Sequence, residues 1–264
     1  MSATGSRKVQ AGFEPLVSGF VRVPFDDIDA IKRVAESNRN VVAVLVELVQ
    51  GEGGINICHS DYLRGLRGIC DAHEWLLMLD EVQSGMGRTG NWFAFQHSGV
   101  QPDVMTLAKG LGNGLPIGAC LTAGRAAPLF KPGNHGSTFG GNPLVCAAAI
   151  ETLRIIEADG LMKNAVEMGK FIRAGFAQSL AGQAGVKEIR GEGLMIGIEL
   201  KHPCGDLVRQ ALDAGLLINV TADTVVRLLP PLIFTREHAQ QVIDMLSPLI
   251  IAFLGSQATA RPAA

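Results

Sequence analysis

The sequence predicts an α/β fold: a mostly parallel sheet covered by helices, followed by a smaller α+β unit. Three observations carry this prediction. Short apolar runs alternate with stretches of helical period between Val41 and Glu157. Two of the runs end in charged residues, Asp80 and Lys109, at the strand ends where open sheets of this kind place their ligands. After Glu157 the texture changes to a long helical stretch and several short strands.

Taken in order, Val41–Glu47 reads as a strand, and the glycine-flanked Gln50-Gly51-Glu52-Gly53-Gly54 as a turn at its end. Asp61–Glu74 scans as a helix. Trp75–Asp80 is a buried strand, whose apolar Leu76-Leu77-Met78-Leu79 delivers Asp80 and Glu81 to the sheet edge. Asp103–Ala108 repeats that geometry, bringing Lys109 out at the glycine-rich Gly110-Leu111-Gly112-Asn113-Gly114. Ile117–Ala123 reads as a further strand and Pro143–Glu157 as a helix with proline in its first turn.

The boundary between units falls near Asp159-Gly160. Beyond it come a helix over Leu161–Leu180, strands at Val186–Arg190, Leu194–Leu200, Leu216–Asn219 and Val225–Leu229, a helix at Asp206–Ala214 and a closing helix over Arg236–Leu254. The expected organisation is a large unit at 1–158, a small one at 159–254 and a mobile tail at 255–264, with Met1–Ser6 mobile as well.

With 264 residues, 47% apolar, 18% charged and a net charge of −2, the chain lacks the broad basic footprint of a nucleic-acid binder, and small-molecule chemistry is favoured. The five cysteines are widely spaced with no C-x-x-C, the pattern of reduced structural thiols in a cytoplasmic protein. Cys58, His59, Cys70 and His73 could be assembled into a metal set, but the helical pattern through them is the stronger reading, so no metal is expected. There is no signal pattern, and an apolar run such as Val41–Val46 is far too short to cross a bilayer, so no membrane is expected.

An acidic pair at a strand end also suits a nucleoside triphosphatase, but that reading needs a G-x-x-x-x-G-K-[ST] loop, which the sequence lacks. Gly85-Met86-Gly87-Arg88-Thr89-Gly90 matches G-x-G-x-x-G without the flanking strand and long helix of a dinucleotide site; a tight loop is the better account. Gly136-Ser137-Thr138-Phe139-Gly140-Gly141-Asn142-Pro143 is either a helix cap or a phosphate-binding loop. Arg227, a charge within Val225-Val226-Arg227-Leu228-Leu229, either snorkels or clamps a carboxylate. A carboxylate and an amine at neighbouring strand ends, Asp80 and Lys109, are what pyridoxal phosphate chemistry requires: an amine to form a Schiff base and an acid to pair with the ring nitrogen.

Val46–Gly54, Leu79–Gly90, Leu107–Gly118 and His135–Pro143 together resemble, in order and spacing, the class III pyridoxal phosphate aminotransferases, with Leu48 standing where the family usually has proline. The resemblance implies fold type I, with a large domain incomplete at its N-terminus, and a homodimer. It implies transfer of the δ-amine of N-acetylornithine, or a related ω-amine, to 2-oxoglutarate, giving glutamate, as in arginine biosynthesis. Lys109 becomes the Schiff-base lysine and general base, Asp80 the partner of the ring nitrogen, Gln83 a contact to the ring hydroxyl region and Val82 the packing beneath the ring. Thr138, with Ser137 beside it, would bind the phosphate of the neighbouring subunit's cofactor. Arg227 would hold a substrate α-carboxylate, with Glu52 as its gate and Glu47 in the same cluster. The resemblance also implies an absent N-terminal portion that supplies a glycine-rich phosphate loop, a stacking aromatic ring and a carboxylate-binding arginine. A non-catalytic subunit pairing with a full-length homologue is therefore the alternative expectation.

Overall fold

The structure, a computed structural model, describes residues 1–259. Near the start lie a single helical turn, α1 (Arg7–Gln10), and α2 (Ile28–Ser37), which the sequence reading did not anticipate. Asp27 caps α2, its carboxylate accepting from the Ala30 N–H, and Ala30 and Ile31 are buried. Met1–Ser6, expected to be mobile, is instead tied down: Arg22 donates to the Ser2 and Thr4 carbonyls, and the Gln10 amide donates to Thr4.

The first sheet contains β1 (Ala43–Glu47), β4 (Leu76–Asp80), β5 (Val104–Leu107) and β6 (Ala119–Thr122) in that spatial order. Between β1 and β4 lie the two-stranded hairpin β2 (Val49–Gln50) and β3 (Asn56–Ile57), then helix α3 (Ser60–Ala72). The β1–β4 and β4–β5 pairs are parallel, as predicted, and β6 is antiparallel. Residues 108–118 are too few for a crossover helix, so the chain can only return antiparallel. The register aligns Glu47 with Asp80 and Asp80 with Thr106, so three strands end in a row. Tyr62, Leu63, Leu66 and Cys70 form one face of α3 and pack with Leu77 and Leu79 of β4. Cys70 is thus a core residue, and His59 pairs with Asp26, which accounts for two members of the metal set considered from sequence.

Helix α4 (Pro143–Ala158) begins at Asn142, whose side chain caps the Val145 N–H. Helix α5 (Leu161–Ser179) then leads into the second sheet, β7 (Val186–Glu192), β8 (Met195–Leu200), β9 (Asn219–Thr221) and β10 (Val225–Leu228), antiparallel throughout in the order β7-β8-β10-β9. Helix α6 (Asp206–Asp213) separates β8 from β9. The strand predicted at Leu216–Asn219 starts instead at Asn219. The Gly215 and Leu216 N–H groups close the end of α6 by donating to Leu212 and Ala211, and are therefore unavailable to the ladder.

Helix α7 (Arg236–Thr259) runs five residues beyond the predicted end at Leu254, so 255–259 of the expected mobile tail is helical; 260–264 lies outside the described residues. By length and composition its Arg236–Gln257 segment could cross a membrane. In this fold Ala239, Ile243, Leu246, Ile250 and Phe253 pack instead into the core beside Phe176, Ile196 and Ile198. The two sheets meet through the loop after β4: the Leu194 N–H donates to Arg88, and the Arg88 guanidinium reaches the carbonyl of Pro230.

Candidate active site

The aligned strand ends bring three predicted residues to one edge. Asp80 Oδ1 accepts from the Val82 N–H (3.0 Å) and Thr106 Oγ1 (3.3 Å). Oδ2 takes no hydrogen bond among the described residues, leaving a fixed carboxylate with one oxygen available to a protonated ring nitrogen. Glu47 Oε2 accepts from the Gly51 N–H at 2.9 Å. Burial raises the Glu47 carboxyl above its ordinary range; the Gly51 N–H and the Lys109 charge oppose this, and the charges of Asp80 and Glu52 add to it. Those influences place Asp80, Lys109 and Glu52 each within electrostatic reach of Glu47.

Lys109 opens a 3₁₀ turn over Lys109–Leu111 and has φ +43°, a left-handed conformation uncommon for a side-chain-bearing residue. The turn follows directly on β5, and Lys109 lines an open depression of about 480 Å³ with Asn113, Leu115 and Ile117. Its amine is exposed, as a nucleophile that must meet a ligand has to be.

Asp80 and Glu81 are neighbours with opposite surroundings. Glu81 is 1% exposed; Oε2 accepts from Ser84 Oγ (2.6 Å) and the Ala94 N–H (3.0 Å), and Oε1 from the Phe95 N–H (2.9 Å). It closes the 81–95 segment into a loop, and that loop carries Val82 and Gln83. The sequence reading missed this role, although strict alternation along the strand already sends adjacent side chains to opposite faces.

Arg227, Glu52 and Gln83 come together from three separate segments. Arg227 Nη1 lies 2.7 Å from Glu52 Oε1 and donates to Gln83 Oε1 at 3.4 Å. The Arg227 side chain is 10% exposed against 74% for Glu52, and its buried Nε has no partner among the described residues. A buried guanidinium with an orphaned donor and a solvent-facing counter-ion is suited to accept an incoming carboxylate. The Gln83 amide packs close over Gly51: a Cβ there would stand 2.4 Å from it, so a larger residue would push the Gln83 side chain aside.

Ser137 and Thr138 stand apart. Their loop is exposed, Ser137 Oγ accepts from the Gly140 N–H at 3.0 Å, and no hydrogen bond among the described residues links them to Asp80, Gln83 or Lys109. A residue not anticipated from sequence, Arg190, reaches from β7 to the hairpin that carries Glu52, donating to the carbonyls of Gly54 and Ile55.

Residues 1–250 match the family described as aminotransferase class-III. An acetylornithine aminotransferase of Nitrosomonas europaea is 60% identical over 97% of this chain and 65% of its own length, and one of Methanocaldococcus jannaschii is 46% identical over 93% and 61%. Among solved structures, the ornithine aminotransferase of Toxoplasma gondii ME49 superposes with a TM-score of 0.91 at 34% identity, covering 97% of this chain and 62% of that one. The acetylornithine aminotransferase of Elizabethkingia anophelis gives 0.83 at 32% identity, with coverage of 92% and 62%. The chain thus spans somewhat under two thirds of the length of these relatives.

Proposed function

The chain belongs to the class-III aminotransferases, with their fold type I architecture, and on that premise we propose that it moves the δ-amino group of N-acetylornithine to 2-oxoglutarate, with pyridoxal 5′-phosphate as cofactor. The observation that carries the reading is the placement of Asp80 at the end of β4 and of Lys109 just past the end of the adjacent parallel strand β5, with one Asp80 oxygen left available. The names of the curated relatives support the choice of amine.

Pyridoxal phosphate, when bound, supplies an aldehyde that condenses with amines and a ring that accepts the electron pair left when a proton leaves the carbon beside nitrogen. Asp80 Oδ2 would face the ring nitrogen, and the Val82 and Thr106 donors on Oδ1 keep that carboxylate oriented. Lys109 would anchor the aldehyde and, once displaced by a substrate amine, take the proton from the substrate carbon and return it to the other side of the nitrogen. Val82 would pack beneath the ring, and Gln83, whose amide oxygen accepts from Arg227, would face the ring hydroxyl region.

Arg227 would receive the α-carboxylate of glutamate or 2-oxoglutarate, and Glu52 would return to it when the bound amine offers no carboxylate there. Phe139, Leu144 and Ile150 are 81%, 70% and 67% exposed around the Ser137–Thr138 loop; such an apolar face suits a subunit contact, across which the loop would serve a neighbouring cofactor phosphate. The same face suits a second reading, a non-catalytic subunit docked on a full-length homologue.

Incubating the purified chain with pyridoxal phosphate, 2-oxoglutarate and, in parallel, N-acetylornithine, ornithine, succinylornithine, succinyldiaminopimelate or 4-aminobutyrate tests the proposal. Glutamate formed fastest from N-acetylornithine supports it. A faster rate with another amine reassigns the donor, and turnover only after a full-length homologue is added supports the second reading.

A further inference from the structure

From the grip of the second sheet on the β2–β3 hairpin, we infer that Arg190 is a positioning residue that sets how firmly Glu52 occupies Arg227. The inference rests on the proposed reading of Arg227 as the carboxylate receiver. In the second sheet Gly197 pairs across the ladder with Arg190 on one side and Arg227 on the other, so two arginines flank a glycine on one face. The hairpin sits on that glycine. A Cβ at Gly197 would lie 3.1 Å from the Cβ of Ile55, which is itself fully buried.

The two arginines take hold of different parts of the hairpin. Arg227 meets the Glu52 carboxylate at its tip. Arg190 takes the backbone: Nη2 donates to the Gly54 carbonyl at 2.6 Å and Nε to the Ile55 carbonyl at 3.0 Å. The Arg190 guanidinium is 11% exposed and is aimed by Glu188 at 2.8 Å and by Glu199. The backbone it holds needs holding. Ile55 has φ +57°, which a β-branched residue adopts only when its surroundings impose it, and Gly54 has φ +106°. The other end of the turn is fixed by Glu47 on the Gly51 N–H at 2.9 Å. With both ends clamped, only the Glu52 side chain is left to swing.

Glu52 and a substrate carboxylate compete for the same guanidinium. A clamped hairpin presents Glu52 at a high effective concentration, so it is a strong competitor; loosening the clamp weakens it. Removing Arg190 should therefore tighten carboxylate binding, the opposite of what general damage to the site would do.

The experiment is calorimetric titration of the chain with glutarate, a dicarboxylate that has neither amine nor keto group. Glu52→Gln and Arg190→Gln should each bind glutarate roughly two- to fivefold more tightly than the unaltered chain, the scale of a partly exposed ion pair. The double variant should bind no more tightly than Glu52→Gln alone, because Arg190 acts through Glu52. Arg190→Lys, which keeps the charge facing Glu199 but loses the two-carbonyl fork, should shift in the same direction and serves if the glutamine variant does not fold. Weaker or unchanged binding in both Arg190 variants, with tightening in Glu52→Gln, overturns the role of Arg190 and leaves Arg227 standing. Full additivity in the double variant also overturns it. No binding to either the unaltered chain or Glu52→Gln overturns the reading of Arg227 and this inference with it.

Discussion

Glu81 offers the sharpest stability test, because a single buried carboxylate satisfies three donors. Replacing it with glutamine preserves shape and removes the charge. If the new amide nitrogen takes the place of Oε1, the Phe95 N–H is left facing a donor; if it takes the place of Oε2, the Ala94 N–H is. Ser84 can rotate its hydroxyl to suit either arrangement, so one orphaned backbone N–H is the minimum. An orphaned buried donor costs about 1–3 kcal/mol, and the two remaining hydrogen bonds lose their charge assistance, so Glu81→Gln should destabilise the chain by about 3 kcal/mol. Urea unfolding followed by circular dichroism measures this directly. Because the same loop carries Val82 and Gln83, pyridoxal phosphate affinity should fall in parallel. A loss below about 0.5 kcal/mol, the scale of an ordinary surface substitution, would refute the assignment of Glu81 as the loop's anchor.

Asp103 should make the fold acid-sensitive. Burial alone would raise its carboxyl, but the Leu77 N–H and the guanidinium of Arg67, with the charge of Arg125, outweigh this and hold it below its ordinary 3.8. A lowered folded value means its stabilisation is complete above the unfolded value and is lost as pH falls through and below 3.8; Asp103→Asn should remove that part of an acid-unfolding profile. Phe176, with no exposure in the core of the second sheet, should cost about 3–5 kcal/mol on truncation to alanine, read from the urea midpoint. Gly169 on α5 should reject alanine, since a Cβ there would stand 1.9 Å from the Gly193 carbonyl; a thermal midpoint unchanged by Gly169→Ala would contradict that close packing. Arg227→Lys keeps the charge but loses the planar fork, and glutarate affinity should drop at least about tenfold by calorimetry.

The first sheet was legible because each strand is a continuous apolar run with a charged or glycine-rich end, a signal that depends only on neighbours in sequence. That signal delivered Asp80 and Lys109 to one edge, while the register that aligns Glu47, Asp80 and Thr106 is set by the strand pairing. The direction of β6 could have been deduced from the short segment before it, but composition alone carries no strand direction. The shift of β9 to Asn219 was hidden because Leu216-Leu217-Ile218 is as apolar as a strand, while the Gly215 and Leu216 N–H groups are committed to the end of α6. Arg190 was not legible at all. Its partners Gly54 and Ile55 lie more than 130 residues away, and only the pairing of two strands about Gly197 brings them together. Arg227 stood out from sequence as a charge inside an apolar strand and Glu52 as part of a glycine-flanked turn, but only the family resemblance linked the two; their 2.7 Å contact is a product of the same long-range assembly.

On the proposed function, Lys109, in the turn directly after β5, is the amine that captures the cofactor aldehyde. Incubation with pyridoxal 5′-phosphate, reduction with sodium borohydride and mapping of the modified peptides tests it most directly. The expected product is a phosphopyridoxyl group on Lys109, with Asp80→Ala sharply lowering its yield. Label spread over exposed lysines such as Lys163, with none on Lys109, would contradict it.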